Sequence, residues 1–321
     1  MTFISRLAGL AMAFALLVGV GAASAQTPPA ANDALLLQYL KQAPGDVAGR
    51  VSIPDPKSGL LIQPEGRGWR ESQNQIATFG AIVILGFIAL VGGFYMIRGK
   101  IMIDKGPSGK TITRFQGIER FAHWLTASSF IVLAISGLNL IYGKSLLLPI
   151  MGAEAFTTFS MYGKLFHNFL SFPFCLGLIL MLVMWIGHNL PNATDVQWFK
   201  QGGGLLKKGV HPPAGKFNGG QKIIFWSTIL IGGGIAVTGY ILMFPFTAVP
   251  DMAGMQLAQV LHSVLSLGLI GVIIGHIYIG SVGMQGAFDA MGKGDVDLNW
   301  AKEHHSLWVK EQEAKARSGA D

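Results

Sequence analysis

One cysteine in 321 residues, Cys175, is too few for an internal disulfide. It also excludes a zinc site built on cysteines, and an iron–sulfur cluster held by this chain alone. Charge is scarce as well. Asp, Glu, Lys and Arg make up 13% of the residues, against roughly 25% in a soluble globular domain. Apolar residues take their place: 51% are hydrophobic and the mean hydropathy is +0.47. The balance excludes an ordinary soluble domain and indicates an all-α polytopic membrane protein. The formal net charge of +7 requires no nucleic acid. Lysines and arginines gather in loops between apolar runs, as the positive-inside rule expects.

Residues 1–25 have the form of a secretory signal peptide: Arg6, an apolar core over 8–20, and Ala23-Ser24-Ala25 before Gln26. Residues 26–75 are rich in Pro, Gly and polar groups and read as an extended periplasmic segment, with a short helix over 33–42. An apolar span comes next at 76–97. A membrane domain at 98–282 then holds four more, at about 121–141, 161–186, 223–246 and 257–282. Residues 202–220 form a loop, and 283–321 a polar tail that is helical in part over 295–315. Removing the signal leaves the new N-terminus outside, so alternation fixes the topology. The loop bearing Arg98, Lys100, Lys105, Lys110, Arg114 and Arg120 faces the cytoplasm. So do the loop bearing Lys200, Lys207, Lys208 and Lys216, and the tail. The setting is a bacterial inner membrane.

His262 and His276 lie fourteen residues apart in one apolar run. At about 100° per residue that is only about 40° short of four full turns, so both imidazoles leave the same helix face. At about 1.5 Å per residue they are roughly 21 Å apart along the axis, most of the roughly 30 Å apolar thickness of a bilayer. The topology puts His123 near the cytoplasmic start of its span and His167 near the periplasmic start of the next. Depth therefore pairs His167 with His262 and His123 with His276. Two pairs of neutral imidazoles at two depths are what two stacked b-type haems need. With no Cys-x-x-Cys-His in the chain, such haems are held non-covalently. A bis-imidazole iron has no open position, so it suits one-electron transfer.

A lone intramembrane histidine is more often a packed core residue or a proton relay than a ligand. Four that match by depth favour haem. A haem-free, proton- or ion-coupled transporter is the rival from another class, but the apolar centres of the four later spans lack Asp, Glu and Arg. Ser136-Gly137, Gly177 and Gly232-Gly233-Gly234 would let a macrocycle or a neighbouring helix approach closely. His188, before Asn189-Leu190-Pro191, reads as an interfacial residue at a helix end. His211 before Pro212-Pro213 reads as solvent-facing. His304-His305 reads as a subunit contact or exposed pair, and Cys175 as packing. Lys216 to Lys222 opens the fourth span. Its polar donors suit a quinone head group, or else a basic turn that only caps the helix.

Several motifs together resemble the gamma subunit of respiratory, quinone-linked formate dehydrogenase, a four-helix di-haem cytochrome b. They are Arg120-Phe121-Ala122-His123-Trp124, Gly187-His188-Asn189-Leu190-Pro191, Lys216-Phe217-Asn218-Gly219-Gly220-Gln221-Lys222 with Phe225-Trp226-Ser227, the His262/His276 pair, and Trp300-Ala301-Lys302-Glu303-His304-His305. The resemblance covers about residues 113–310. Cytochromes b of quinone-linked hydrogenases share the histidines and supply the rival within redox proteins. The resemblance implies an iron–sulfur beta subunit as electron donor, fed by a molybdenum- or tungsten-containing alpha subunit that oxidises formate. It implies axial haem ligation by His123, His167, His262 and His276. Asn218, Gly220 and Gln221 would meet ubiquinone or menaquinone. It leaves the span at 76–97 as an addition to the four-helix pattern.

Overall fold

The computed structural model of the chain describes residues 64–318. The expected signal peptide at 1–25 and the segment 26–63 lie outside the described residues. Gly68–Asp321 forms one compact unit, distinct from residues 1–67.

Among the described residues, five helices are long and apolar enough to cross a membrane. They are α1 (Pro64–Arg98), α2 (Gly117–Leu146), α3 (Ala153–Asn189), α5 (Gly219–Met243) and α6 (Met252–Tyr278). The fold is a helical membrane bundle, as composition requires. Backbone polar groups in a bilayer must be satisfied within the segment, and helices do this residue by residue. Most of the helices outrun the apolar spans, because hydropathy marks only the centre and polar turns continue the ladder beyond it. The largest difference is at α1. Residues 64–75, expected to be extended, are helical, and Pro64 at the first helical position fits a helix start. α3 contains Pro173 in its interior, which membrane helices tolerate when neighbours absorb the freed carbonyl.

α2 packs on α3, α5 on α6, and α3 on α5. Small residues set these approaches. A Cβ on Gly177 would run into Thr126, and one on Gly232 would meet Leu178 at 3.3 Å. The small residues at 177 and 232 thus serve helix packing. α1 lies against α2 and α6: Tyr142 Oη donates to Ala77 O at 2.7 Å. A Cβ on Gly80 would crowd Tyr142 and Leu267.

The extramembrane segments gather at the end of the bundle where α2 begins. β1 (Thr111–Thr113) pairs antiparallel with β2 (Asp295–Asp297), Ile112 opposite Val296. α4 (Ala193–Lys200) crosses before α5, while α7 (Leu298–His304) and α8 (Ser306–Ser318) come after β2. The tail is helical in part, as expected, and it also packs. Val296, Trp300, Ala301, Trp308 and Val309 are buried in one cluster with Phe115, Trp185, Phe217 and Phe225. Three-residue strands and a few well-spaced apolar side chains give too weak a period to stand out in a polar stretch. Motif residues hold this end together. Arg120 Nη2 donates to Gly292 O at 2.6 Å and Trp124 Nε1 to Met291 O at 2.9 Å.

Candidate functional site

α6 carries His262 and His276 on the face directed at its neighbours. α3 brings His167 to His262, and α2 brings His123 to His276. In each pair the ring centroids are 6.1 Å apart. These are the pairs that depth alone groups together. The spacing has a chemical meaning. An imidazole nitrogen sits roughly 2 Å from a bound metal, and the ring centre about 1 Å further, so two axial imidazoles on one iron have centroids about 6 Å apart. Direct ring packing would not require that gap.

The ring nitrogens fit the same arrangement. His167 Nδ1 lies 2.8 Å from Ser136 Oγ, which itself donates to Val132 O at 2.7 Å. With the Ser136 proton given to that carbonyl, Oγ is left to accept from a protonated His167 Nδ1. His262 Nδ1 lies 3.1 Å from Ile235 O and 3.1 Å from Thr238 Oγ1. A carbonyl can only accept, so the proton is again on Nδ1. Both rings therefore present an unprotonated Nε2, the form a metal takes. At the other end His123 keeps a buried Nδ1 that no described protein group engages, an imidazole the protein alone leaves incompletely satisfied. Among the described residues no three His, Cys, Asp or Glu side chains come together as a metal site. Pairs of imidazoles suit an iron whose other four ligands come from a porphyrin.

A small residue suits the position beside one of these rings. A Cβ on Gly239 would stand 3.1 Å from His262 Cε1, a tight contact that the ring could relieve only by shifting a few tenths of an ångström. Ser136 and Thr238 are functional residues that sequence reasoning missed as ring-orienting groups. Their signal was faint, since one hydroxyl near a turn of small residues reads as packing.

The segment 216–222 forms a capping box at the start of α5. Asn218 Oδ1 accepts from Gln221 N at 2.9 Å, and Gln221 Oε1 accepts from Asn218 N at 3.0 Å. Arg114 Nη2 donates to Gln221 Oε1 at 3.2 Å and to Lys216 O at 2.7 Å. Gly220 lies against Trp198, where a Cβ would come within 2.9 Å. The capping alternative is thus present in the geometry. It leaves the Asn218 amide nitrogen free of the box and the backbone of Gly220 without a covering side chain of its own. Two buried ion pairs flank the segment: Lys216 with Glu119 at 2.6 Å, and Lys222 with Asp195 at 2.8 Å. Lys222 Nζ also donates to Leu190 O, and Trp226 Nε1 to Asn189 O, each at 2.9 Å. The turn ending α3 is therefore locked to the start of α5.

The remaining histidines separate. His188 is exposed in the last turn of α3. His211 is exposed, with Nε2 2.9 Å from Asp104 Oδ2. The expectation that His304-His305 is an exposed or contact pair is corrected. His305 is fully buried, its Nδ1 2.8 Å from Gly215 O, and His304 is half-buried against Trp300. The tail folds back under the loops, which a polar sequence does not announce. Cys175 is partly buried in α3.

Comparison with known proteins accords with this geometry. Residues 114–294, more than half of the chain, match the prokaryotic cytochrome b561 family. The cytochrome b556(fdo) subunit of formate dehydrogenase from Escherichia coli (strain K12) is 32% identical over 203 residues, 63% of this chain and 93% of that one. The nitrate-inducible formate dehydrogenase cytochrome b556(Fdn) subunit of the same strain is 30% identical over 216 residues, 66% of this chain and 97% of that one. The formate dehydrogenase cytochrome b556 subunit of Haemophilus influenzae is 27% identical over 205 residues, 63% and 83%. The family match begins after α1, which stands apart as an addition. Paired imidazoles inside an apolar helical bundle, with these relatives, make this chain a membrane cytochrome b of the prokaryotic cytochrome b561 family, among the cytochrome b556 subunits of formate dehydrogenase.

Proposed function

We propose that this chain carries electrons from formate oxidation, performed by partner subunits, through two b haems to the quinone pool. The observation that carries this reading is the pair of 6.1 Å imidazole gaps at the two ends of α6. His167 and His262 hold one haem, on the periplasmic side. His123 and His276 hold the other, on the cytoplasmic side. Held between two imidazoles, each haem would supply reversible one-electron transfer. Ser136 and Thr238 orient their rings, and Gly239 keeps room for one of them. The N-terminus is periplasmic after loss of the signal at 1–25, and the C-terminus is cytoplasmic, in a bacterial inner membrane. The electron donor is an iron–sulfur beta subunit, supplied by a molybdenum- or tungsten-containing alpha subunit.

Quinone, ubiquinone or menaquinone, binds at the start of α5, where Asn218, the backbone at Gly220 and Gln221 meet its carbonyl. The Asn218 amide offers the donor, while its oxygen continues to cap the helix. Replacing Asn218 by Leu removes donor and cap together, so stability alone does not decide the matter. A lost hydrogen bond of this kind costs about 1 kcal/mol, and more if its partner stays buried. The expected result is slower quinone reduction and weaker quinone-analogue inhibition in Asn218→Leu, with both haems still reducible by formate. Asn218→Asp keeps the cap and removes the donor, and it should weaken the inhibitor as well. Unchanged inhibitor affinity in Asn218→Asp, with only Asn218→Leu destabilised, would reduce the segment to a helix cap.

The complex as a whole has a separate test. Purified in mild detergent with its partner subunits, it should show b-type bands that formate reduces. A preparation whose haems are reduced by hydrogen and not by formate would instead assign the chain to a quinone-linked hydrogenase.

A further inference from the structure

The Trp300–His305 motif has no part in binding either haem, yet it lies at the centre of an unusual polar cluster. Trp300 is buried, and three groups surround its ring. Arg114 Cζ is 5.2 Å from the ring centroid, and the His304 and His305 rings are each 5.3 Å away. Four side-chain nitrogens here are buried with no partner among the described residues: Arg114 Nε, Trp300 Nε1, His304 Nε2 and His305 Nε2. Native proteins seldom leave one such atom unpaired, and four around one ring are polar partners of the kind a buried water needs. The roles are complementary. Arg114 Nε and Trp300 Nε1 can only donate. His305 donates its Nδ1 proton to Gly215 O, so its Nε2 accepts. A water there can take protons from two groups and offer one to the third.

The cluster joins two places. Outward, the His304 ring is 6.2 Å from that of His211, which pairs with the half-exposed Asp104. Asp104, Lys207, His211 and His304 share one surface crevice. Inward, Arg114 Nη2 reaches Gln221 Oε1 and Lys216 O at the capping box. Burial, with His211 and Arg114 nearby, pushes the His304 imidazole down to about 4, against the opposite pull of Asp104. Burial and Arg114 hold His305 well below its ordinary value, although Gly215 O favours its charged form. Other charged groups near the cluster are Glu119, which pairs with Lys216, and Glu303, which accepts from the backbone of Asp104 and Lys105. Both rings are therefore neutral at pH 7. A neutral imidazole can take a proton on one nitrogen while losing one from the other.

We propose that this cluster is the proton inlet of the quinone site. Asp104 and His211 collect protons at the surface, His304 passes them inward, and water held by Trp300, Arg114 and His305 delivers them to the start of α5. The inference rests on the quinone reading above. The balance is simple. Each quinone takes two electrons, one from each of two ferrous-to-ferric oxidations at the nearer haem. It also takes two protons, one on each carbonyl oxygen, and leaves as the hydroquinone. His304 is a positioning and relay residue, since it touches neither quinone nor iron.

The test uses the complete complex with its partner subunits and haems. In His304→Phe, haem reoxidation by added quinone should slow tenfold or more at pH 8 and clearly less at pH 6. Formate-driven haem reduction should be unchanged, and quinone-analogue affinity should stay within twofold of wild type. Added imidazole, a diffusible proton carrier, should restore much of the rate. His211→Asn, at an exposed position where folding is not at stake, should slow the same step by a smaller factor with the same pH trend. Independently of turnover, the Trp300 indole N–H should exchange with deuterated solvent within minutes. Unchanged rates in both variants, a loss that imidazole does not restore, or an indole protected for hours would overturn the inlet. A wild-type complex that binds no quinone analogue would overturn the quinone reading and the inlet with it. A wild type that binds the analogue, with an unaffected His304→Phe, would overturn the inlet alone.

Discussion

His167→Ala should remove one haem and leave the other in place, and His276→Ala should do the reverse. The two pairs are served by different helices at opposite ends of α6: α3 supplies His167 to one, α2 supplies His123 to the other. The helix rise separates the two sites by roughly 20 Å, so neither change reaches the other pair by direct contact. Alanine removes one of the two imidazoles and leaves a gap, so that pair would no longer hold a low-spin, bis-imidazole haem. Redox-titrated optical spectra of each variant should retain one low-spin component and lose the other, with the lost component differing between the two. Loss of the same component in both folded variants would mean the pairing is wrong. Ser136→Ala supplies a graded version. It removes one hydroxyl beside His167 Nδ1 and neither ligand, so the haem should remain while its potential shifts. Loss of an outer-shell partner typically weakens a metal site by about 10–100-fold.

Asp195→Ala should destabilise the chain by about 4 kcal/mol, the largest effect expected outside the haem sites. The Lys222 ammonium is buried, its side chain 8% exposed, and that of Asp195 is 13% exposed. Removing the carboxylate leaves a buried charge with only the Leu190 carbonyl as partner, and an uncompensated buried charge costs about 3–5 kcal/mol. Asp195 also caps α4 through the box with Asn192, worth about 1 kcal/mol more. Lys222→Met in the same chain should recover much of the loss, because it removes the stranded charge and keeps the bulk. Thermal unfolding of both variants in detergent, followed by haem release, measures this. Equal stability of Asp195→Ala and its Lys222→Met double variant would show that the ion pair between α4 and α5 is not what stabilises this junction.

How much of this was readable in the residues depends on the length over which each signal runs. Five apolar helices were legible because twenty or so apolar residues in succession have few other uses. The histidine pairs were legible because His262 and His276 share one helix, where a fixed rise and rotation turn sequence distance into depth. The hydrogen bonds of His167 and His262 were not, since Ser136 and Thr238 belong to other helices and their registers appear only once the bundle is assembled. The burial of the tail was hidden for the same reason. Trp300, Trp308 and Val309 are too few to mark a core. Their burial depends on β2 finding β1 some 180 residues earlier in the chain. His305 reads as polar surface until Gly215 O and Trp300 close around it. The start of α5 was legible as a choice between cap and quinone contact, and the capping box is present without removing the Asn218 donor.

The central claim is that two imidazole pairs each hold a b haem. A pyridine haemochrome assay on the purified complex, set against the protein quantity of this chain, addresses it directly. The account predicts two non-covalently held b haems per chain, with bis-imidazole low-spin spectra. One haem per chain, or none, would contradict it.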